Sequence, residues 1–534
     1  MKLRAGLPAA VIAIAVYVAF LNKPFNIDDN VFLMMADHMT VDPLHPASVQ
    51  LVVNGRPPAW VSAGMWSGPV MPALLVPSIL AGGAEWLAHL MVLGVFLVGI
   101  FATAALALRL GLSDRGARWA ALLTTCSAAV IAMSMTSMPD LPTMSLGVLG
   151  AERLVAYRDE RRLAQALGAT IALALAVLSR QHIVLLYACL VPLMFTAWPG
   201  TLREFGTTVV SRRFLALMAI CVAAAGLVAL AYLVMRDDHA AGSLASTPLR
   251  IADTSLWRVN LPNVPAQWVL TFPLGLAWAW LHGRDMLRSA WCWLGAGAGA
   301  YLAYTSHVFY RHLDWLPWQA PLTALGMAVL VHVFVDAVRR RDHVELGLAA
   351  WLLIMTPIAV YSHLPPKYFV PSAPAMAILI LRHVESQGRN PTRVLGTLAV
   401  LHVVLGVPII RADAAHGETG REGGAVVASY VARGERVWFD GTWGFQWYAM
   451  QAGAMPVTTE EPKPQPGDIV VVGMEGWVIK AWPNKQLLEK RTFPAPGGRI
   501  MRKPAGFFSN VAWGPLPWWW SRKPLGPIEV YRIL

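Results

Sequence analysis

The chain contains a series of apolar segments, each about as long as a helix that crosses a lipid bilayer. Such a helix needs about 20 mostly apolar residues. Of the 534 residues, 56% are hydrophobic and 14% are charged, and the mean hydropathy is +0.50. A soluble protein of this size could not bury so much apolar surface. The sequence therefore predicts an integral membrane protein that crosses the bilayer many times.

The apolar segments predict about thirteen crossings, beginning with an uncleaved helix over residues 5–21. A signal peptide is the alternative for this first segment, but no small-x-small cleavage pattern precedes residues 22–24. A further helix over 70–81 is expected to lie in or near the membrane interface. The other crossings are expected at 86–108, 118–136, 141–157, 163–179, 182–198, 214–235, 266–281, 289–307, 317–337, 344–362, 367–383 and 394–410.

The distribution of charge predicts the orientation of the chain. A net charge of +12 would suit a nucleic-acid-binding protein, but the basic residues lie in short clusters between apolar segments, not on one continuous face. Lys2 and Arg4 place the N-terminus in the cytoplasm by the positive-inside rule. An odd number of crossings then puts the C-terminus on the outer side of the membrane. The inner loops would hold the arginine clusters at 109–118, 158–162, 203–213, 339–341 and 382–393.

The composition changes near residue 412, and two domains are expected. Residues 1–411 form the predicted membrane domain, with a long outer loop over 22–68. Residues 412–534 are predicted to form a small extracytoplasmic α/β domain, with a helix over 425–432 and buried strands at 436–440, 468–472 and 528–533. No glycine-rich phosphate-binding motif follows a predicted strand, which argues against a nucleotide site.

Two adjacent acids, Asp28 and Asp29, lie just beyond the first crossing, at the predicted outer membrane surface. Adjacent carboxylates repel each other, so the pair is costly unless a metal, a cation or a proton transfer uses it. The alternative is a pair of solvated loop acids or a helix N-cap. Asp140 lies in a tight outer turn and could be an N-cap, a third functional acid, or both.

Other polar candidates lie on the same predicted side of the membrane. Glu85 and His89 are one helical turn apart and could bind a metal, or they could form an interfacial polar pair. The candidate groups for binding an anion are Arg180, Arg311 and Lys367, the last followed by Tyr368. Each cation could equally extend towards the lipid headgroups.

Four motifs follow one another along the predicted membrane domain. They are Phe-Asn-Ile-Asp-Asp-Asn at 25–30 with Ala36, Gly-Ala-Glu-Trp-Leu-Ala-His-Leu at 83–90, Ser-Met-Pro-Asp-Leu-Pro at 137–142, and Lys-Tyr-Phe-Val-Pro at 367–371. Their order and sidedness resemble the GT-C superfamily of membrane glycosyltransferases. Within it, the chain most resembles family 39, which includes bacterial relatives of the protein O-mannosyltransferases and the aminoarabinose transferase of lipid A. The resemblance implies a bacterial inner membrane protein with its C-terminal domain in the periplasm.

The chain departs from the family at two points. The common His-Pro-Pro of the first outer loop is represented only by Gly-Pro-Val-Met-Pro at 68–72, and Lys367 replaces the usual Arg. The resemblance covers about residues 1–410.

The resemblance implies transfer of a sugar, with inversion, from a polyprenyl-phosphate donor to a glycolipid, polysaccharide or protein acceptor outside the cytoplasm. Asp28 is the expected base. Asp29 or Asp140 would orient the acceptor or bind a divalent metal ion. Lys367, Arg180 or Arg311 would stabilise the departing phosphate.

Two other classes of function remain open from the sequence. A secondary transporter would place ionisable groups near the bilayer midplane on broken helices in repeated halves. No matching repeat is visible, and the charges cluster at the faces. A non-catalytic scaffold that presents the C-terminal domain is the second alternative.

Overall fold

The structure is a computed structural model that describes residues 2–53, 55–64, 68–236, 254–310, 315–361, 363–473, 476, 478–479 and 482–534. It is mostly helical. In the first half of the chain, the α-helices are Lys2–Phe20, Asp29–Met39, Val61–Gly64, Val70–Leu80, Glu85–Arg109, Asp114–Cys126, Ala128–Ser134, Asp140–Glu160, Leu163–Ser179, Leu186–Met194, Leu202–Val209 and Arg212–Val234. A 3₁₀ helix spans Gln181–Leu185.

The second half continues in the same way and adds a sheet near its end. Its α-helices are Thr254–Asn260, Asn263–Leu270, Leu274–Arg288, Ala290–Tyr310, Leu316–Arg340, His343–Leu352, Ala373–Ser386, Thr392–Val431, Gly444–Gln451 and Asn510–Trp513, with 3₁₀ helices at Thr356–Val360 and Pro366–Ser372.

The described helices make this a multi-pass membrane protein. Five helical segments are long and apolar enough to cross a bilayer, and a bent pair, Asp114–Cys126 with Ala128–Ser134, would make a sixth. Shorter apolar helices include Arg4–Phe20 and Leu163–Ser179. The five segments are Glu85–Arg109, Arg212–Val234, Leu316–Arg340, His343–Val360 and Thr392–Val431. The total of thirteen crossings stays a prediction.

Several predicted crossings are interrupted. The segment predicted at 118–136 bends by 64° at Ser127, whose hydroxyl donates a hydrogen bond to the Leu123 carbonyl at 2.6 Å and competes with the helix. The segment predicted at 266–281 breaks before Pro273, which has no backbone N–H to donate. Apolar length alone did not reveal these breaks.

Small residues let the helices that carry the candidate site approach closely. Gly99 lies against Ser145 of the Asp140–Glu160 helix, and a Cβ at Gly99 would lie 2.4 Å from the Ser145 hydroxyl oxygen. Contacts of this kind are typical of helix packing in membranes, where small residues bring the backbones together. The Asp140–Glu160 helix is thereby held next to the Glu85–Arg109 helix.

The Thr392–Val431 helix is 40 residues long and is continuous through residues 411 and 412. The predicted helix over 425–432 is its last part, so it is not a separate element. The division of the chain into two domains at this point stays a prediction.

The C-terminal region contains the small α/β structure that the sequence predicts. A five-stranded sheet has the order Met455–Pro456, Val437–Asp440, Ile469–Val472, Leu525–Ile533, Lys485–Phe493. The first three strands are parallel, and the last two are antiparallel to their neighbours. Two-stranded ribbons pair Gln50–Leu51 with Ala59–Trp60, Gly497–Arg499 with Trp519–Ser521, and Met501–Arg502 with Ala505–Gly506.

The C-terminal region packs on the loops that surround the candidate site. The Phe25 N–H donates to the Tyr448 hydroxyl at 2.9 Å, and the Leu364 N–H donates to the Asn510 side-chain oxygen at 2.8 Å. Gly444 lies so close to Phe25 that a Cβ there would be 2.1 Å from the Phe25 carbonyl oxygen. The segments just before Asp28 and Lys367 are therefore held in part by residues beyond 440.

Candidate functional site

Asp28 and Lys367 form an ion pair, although they lie 339 positions apart in the chain. The Lys367 ammonium donates to Asp28 Oδ2 at 2.8 Å. The Lys367 side chain is 2% exposed, whereas that of Asp28 is 27% exposed. The pair thus has a buried cation and a carboxylate that water or a ligand can reach.

The backbone before Asp28 is strained. Ile27 has φ 46°, in the left-handed region that a β-branched residue rarely adopts. The turn directs Asp28 towards Lys367, while Asp29 begins the next helix and points into the protein. Strain of this kind persists only where the surroundings impose it, and it is concentrated at functional sites.

The two neighbouring acids differ in protonation. Burial alone would raise the pKa of Asp28, but the cations Lys367 and Arg180 together with His363 lower it below its usual range. Burial raises the pKa of Asp29 to about 7, with Asp413 adding to the rise and Lys23 opposing it. Near neutral pH, Asp28 is therefore ionised and Asp29 is close to its midpoint.

Asp29 ties two loops together. Its side chain is fully buried, and its two oxygens accept the Asn26 and Ser137 backbone N–H groups at 2.9 and 2.8 Å. The second of these bonds joins the segment around Asp29 to the turn before Asp140. Asp29 therefore fits a role in positioning the neighbouring segments better than a role in contacting a substrate.

A second ion pair lies beside the first. Arg180 donates to Asp140 Oδ2 at 3.0 Å, and Asp140 is fully buried. The Arg180 guanidinium lies over the Tyr368 ring at 4.4 Å from its centre, and the Lys367 ammonium lies 5.6 Å from that centre. The hydroxyl of Tyr368 is 3.0 Å from His363 Nε2. Both cations therefore converge on one aromatic ring.

Polar atoms without partners lie in this cluster. Asp140 Oδ1, Arg180 Nε and the Ser137 hydroxyl are buried and make no hydrogen bond within the described part of the chain. Buried polar atoms are normally satisfied, so each exception needs an explanation. Arg180 Nε and the Ser137 hydroxyl can donate to an anionic group, and Asp140 Oδ1 can accept from a hydroxyl or amine.

Lys23 and Asp413 support the cluster and were not candidates from the sequence. They form an ion pair of 2.7 Å that is almost completely buried, and the Asn26 amide also donates to Asp413 at 2.8 Å. Asp413 lies on the long helix and so connects it to the acidic turn. In the sequence, Asp413 could have been recognised as an isolated acid just after the last predicted crossing.

Glu85 and His89 have separate partners. Glu85 accepts from the Tyr448 hydroxyl and pairs with Arg421 at 3.0 Å. His89 Nε2 lies 2.9 Å from the Lys23 carbonyl oxygen, to which it donates. A metal at Glu85 and His89 stays a prediction, and the same is true of any role for Arg311, which lies outside the described residues.

A different group of potential metal ligands occurs on other helices. One ligand atom each of Asp336, Glu345 and His383 lies within 4.8 Å of the other two. These residues could hold a metal ion.

Neither a protein-family model nor a curated protein sequence matches the chain. Among solved structures, the Archaeoglobus fulgidus oligosaccharyltransferase in complex with Zn and sulfate is similar at 14% identity and a TM-score of 0.48, over 88% of this chain and 68% of that one. ArnT from Cupriavidus metallidurans in the apo state is similar at 12% identity and a TM-score of 0.40, over 98% and 97%. The arabinofuranosyltransferase AftD from Mycobacteria is similar at 13% identity and a TM-score of 0.42, over 99% and 40%. Because every TM-score is below 0.5, the geometry of the site and the motifs carry the functional argument.

Proposed function

We propose that this protein is a membrane glycosyltransferase of the GT-C type that moves a sugar, with inversion, from a polyprenyl-phosphate donor to an extracytoplasmic acceptor. The observation that carries the proposal is the pairing of an accessible carboxylate, Asp28, with a buried ammonium, Lys367, beside the Asp140–Arg180 pair. A base next to two cations is the minimum that this reaction needs when its leaving group is a phosphate.

In the proposed reaction, Asp28 takes a proton from the acceptor hydroxyl or amine. The acceptor atom bonds to the anomeric carbon as the bond from that carbon to the phosphate oxygen breaks. The bonding electron pair leaves with the lipid phosphate, and Lys367 and Arg180 stabilise the charge that develops there.

The ion pair between Lys367 and Asp28 controls the strength of the base in this proposal. The charge of Lys367 lowers the pKa of the Asp28 carboxyl group and makes it a weaker base. A donor phosphate competes for the same ammonium and weakens its hold on Asp28. The carboxylate then becomes more basic when the substrate to be activated is present.

The other acids have supporting roles in this proposal. Asp29 keeps the acidic turn in register with the turn at Ser137 through its two backbone contacts. Asp140 orients Arg180 and keeps one free oxygen, Oδ1, for the acceptor or for a divalent metal ion. Both oxygens of Asp29 already accept backbone N–H groups, so Asp29 fits a metal less well.

The site also needs access from the bilayer. We place it at the outer face of a bacterial inner membrane, where a lipid-linked donor can enter sideways and the C-terminal region faces the periplasm. Nucleotide sugars are not normally available on that side. The acceptor is a glycolipid, a polysaccharide or a protein.

The test is sugar transfer from a radiolabelled polyprenyl-phosphate donor by the purified protein and its Asp28→Asn variant in the same detergent. Asp28→Asn preserves size and hydrogen bonding but cannot accept the proton. Asp42→Asn is the matched control, because Asp42 is an acid of the same outer loop whose side chain is 41% exposed. Transfer that is lost in Asp28→Asn and kept in Asp42→Asn supports the proposal. Movement of the intact donor across a vesicle membrane without transfer would identify a transporter instead.

A further inference from the structure

A compact cluster of histidine and carboxylate groups lies on helices that do not contribute to the site described above. His383 Nε2 is 3.1 Å from Glu345 Oε1 and 3.8 Å from Asp336 Oδ2. The three residues come from three helices, Leu316–Arg340, His343–Leu352 and Ala373–Ser386. Their ligand atoms therefore meet at a point where three helix ends converge.

The negative charge of the buried Glu345 carboxylate is poorly compensated by nearby cations. Glu345 is 5% exposed and His383 is 1% exposed. The nearby Arg382 guanidinium makes its close contact with Asp342, at 2.6 Å, and is 4.0 Å from Glu345. Glu345 Oε2 is buried and has no hydrogen-bond partner within the described ranges. A buried carboxylate in this state is costly unless a further cation approaches it.

A second histidine orients the first. His383 Nδ1 is 2.9 Å from His282 Nε2, so the ring of His383 is held with Nε2 towards the two carboxylates. Metal-binding histidines commonly have such a partner on the other ring nitrogen, which fixes the tautomer and the ring orientation. The arrangement therefore includes both the ligand atoms and an outer contact.

We propose that His383, Glu345 and Asp336 bind one divalent metal ion of the zinc type. Nitrogen and carboxylate oxygens bind Zn²⁺ at about 2.0–2.2 Å, so tetrahedral ligand atoms are about 3.3 Å apart. The two observed distances from His383 Nε2, 3.1 and 3.8 Å, are close to this value. Arg340, which contacts Asp336 at 2.7 Å and is 40% exposed, would turn outwards when the ion binds.

The metal would join the ends of three helices. Arg339 and Arg340 in the last turn of the Leu316–Arg340 helix are expected to face the cytoplasm by the positive-inside rule. The proposed transfer site around Asp28 and Lys367 is expected on the opposite side of the membrane. The metal site is thus independent of the proposed transfer reaction and would act on stability, because an ion that binds only the folded state raises the melting temperature.

The experiment uses the full chain in detergent, stripped with a chelator and then dialysed against micromolar Zn²⁺. We expect one zinc per chain by elemental analysis and a higher Tm than in the stripped protein. Co²⁺ in place of Zn²⁺ should give visible absorption bands. Wild type that retains no stoichiometric zinc at micromolar concentration, or zinc with no effect on Tm, overturns the proposal.

Variants then test which residues hold the ion. Glu345→Gln and His383→Ala should each weaken zinc binding at least a hundred-fold, and His282→Ala should weaken it about 10- to 100-fold through the outer contact. His343→Ala is the matched control, because His343 begins the same helix as Glu345 and lies outside the triad. Unchanged zinc affinity in both Glu345→Gln and His383→Ala would mean that the cluster is only a hydrogen-bonded network.

Discussion

Lys367 has two roles in the proposed reaction: it stabilises the departing phosphate and it lowers the pKa of Asp28. Substituting it should change the reaction rate through the first role and the pH profile through the second. Lys367→Met removes the ammonium and keeps an unbranched side chain in a site where Lys367 is 2% exposed. Removing a hydrogen bond to a charged group costs about 1.5–3 kcal/mol. Since each 1.4 kcal/mol corresponds to a factor of ten, kcat/KM for the lipid-linked donor should fall about 10- to 100-fold. Lys367→Arg keeps the charge and should retain much of the activity.

The same substitution should change the pH dependence. Lys367 is the main group that lowers the pKa of Asp28, against the effect of burial. The rate falls as pH drops through the pKa of the base, because the base must be deprotonated. Without Lys367 that pKa rises, so the acid limb of the kcat/KM profile should move to higher pH in Lys367→Met and stay close to its original position in Lys367→Arg.

The assay is donor turnover by purified protein between about pH 3 and 9, a range that extends below the ordinary aspartate pKa of about 3.9, with matched detergent and lipid. Lys463→Met is the control for loss of one lysine, because Lys463 is 42% exposed and pairs with Glu461 in the C-terminal region. If Lys367→Met retained wild-type rates and an unshifted acid limb, the ion pair between Lys367 and Asp28 would have only a structural role. The proposed control of Asp28 would then be refuted.

Other predictions follow from the same geometry. Asp28→Asn should lower the transfer rate about 10²- to 10⁴-fold, the usual cost of losing a general base, with unchanged membrane insertion. Because the folded-state pKa of Asp29 is raised to about 7, this acid should make stability decrease as pH rises from about 4 to 7, and Tm should depend less on pH in Asp29→Asn than in the wild type. A reporter that is active only in the periplasm should be active when fused after Leu534; activity of a cytoplasmic reporter there would refute the orientation. Gly99→Leu should lower the yield of folded protein, because its side chain would overlap Ser145.

The sequence identified the separate parts of the site better than their contacts. Asp28 and Asp140 are recognisable as acids at the predicted membrane surface, and Lys367 and Arg180 as cations on the same side. Which acid meets which cation depends on helix packing over 40 to 339 positions of sequence separation, and local patterns carry no information about that.

Local patterns also explain what was found and missed in the fold. Short apolar runs predicted the strands at Val437–Asp440 and Ile469–Val472, because strands buried on both faces do not alternate. Alternation predicted the strand at 528–533, which the structure has as Leu525–Ile533. The bend at Ser127 was missed because a serine that bonds to its own helix looks like any other small residue in an apolar run. The His383 cluster was missed because its members lie on three different helices.

The Thr392–Val431 helix connects the C-terminal sheet to the turn before Asp28. At 1.5 Å per residue its 40 residues extend about 60 Å, twice the hydrocarbon thickness of a bilayer. Beyond Pro408, Asp413 of this helix accepts a hydrogen bond from the Asn26 amide in the loop before Asp28. The rest of the helix packs against the sheet. The helix therefore connects the sheet to the turn that holds Asp28 through a hydrogen-bonded contact. We expect a shift of the sheet to move Asp413 and, through Asn26, that turn.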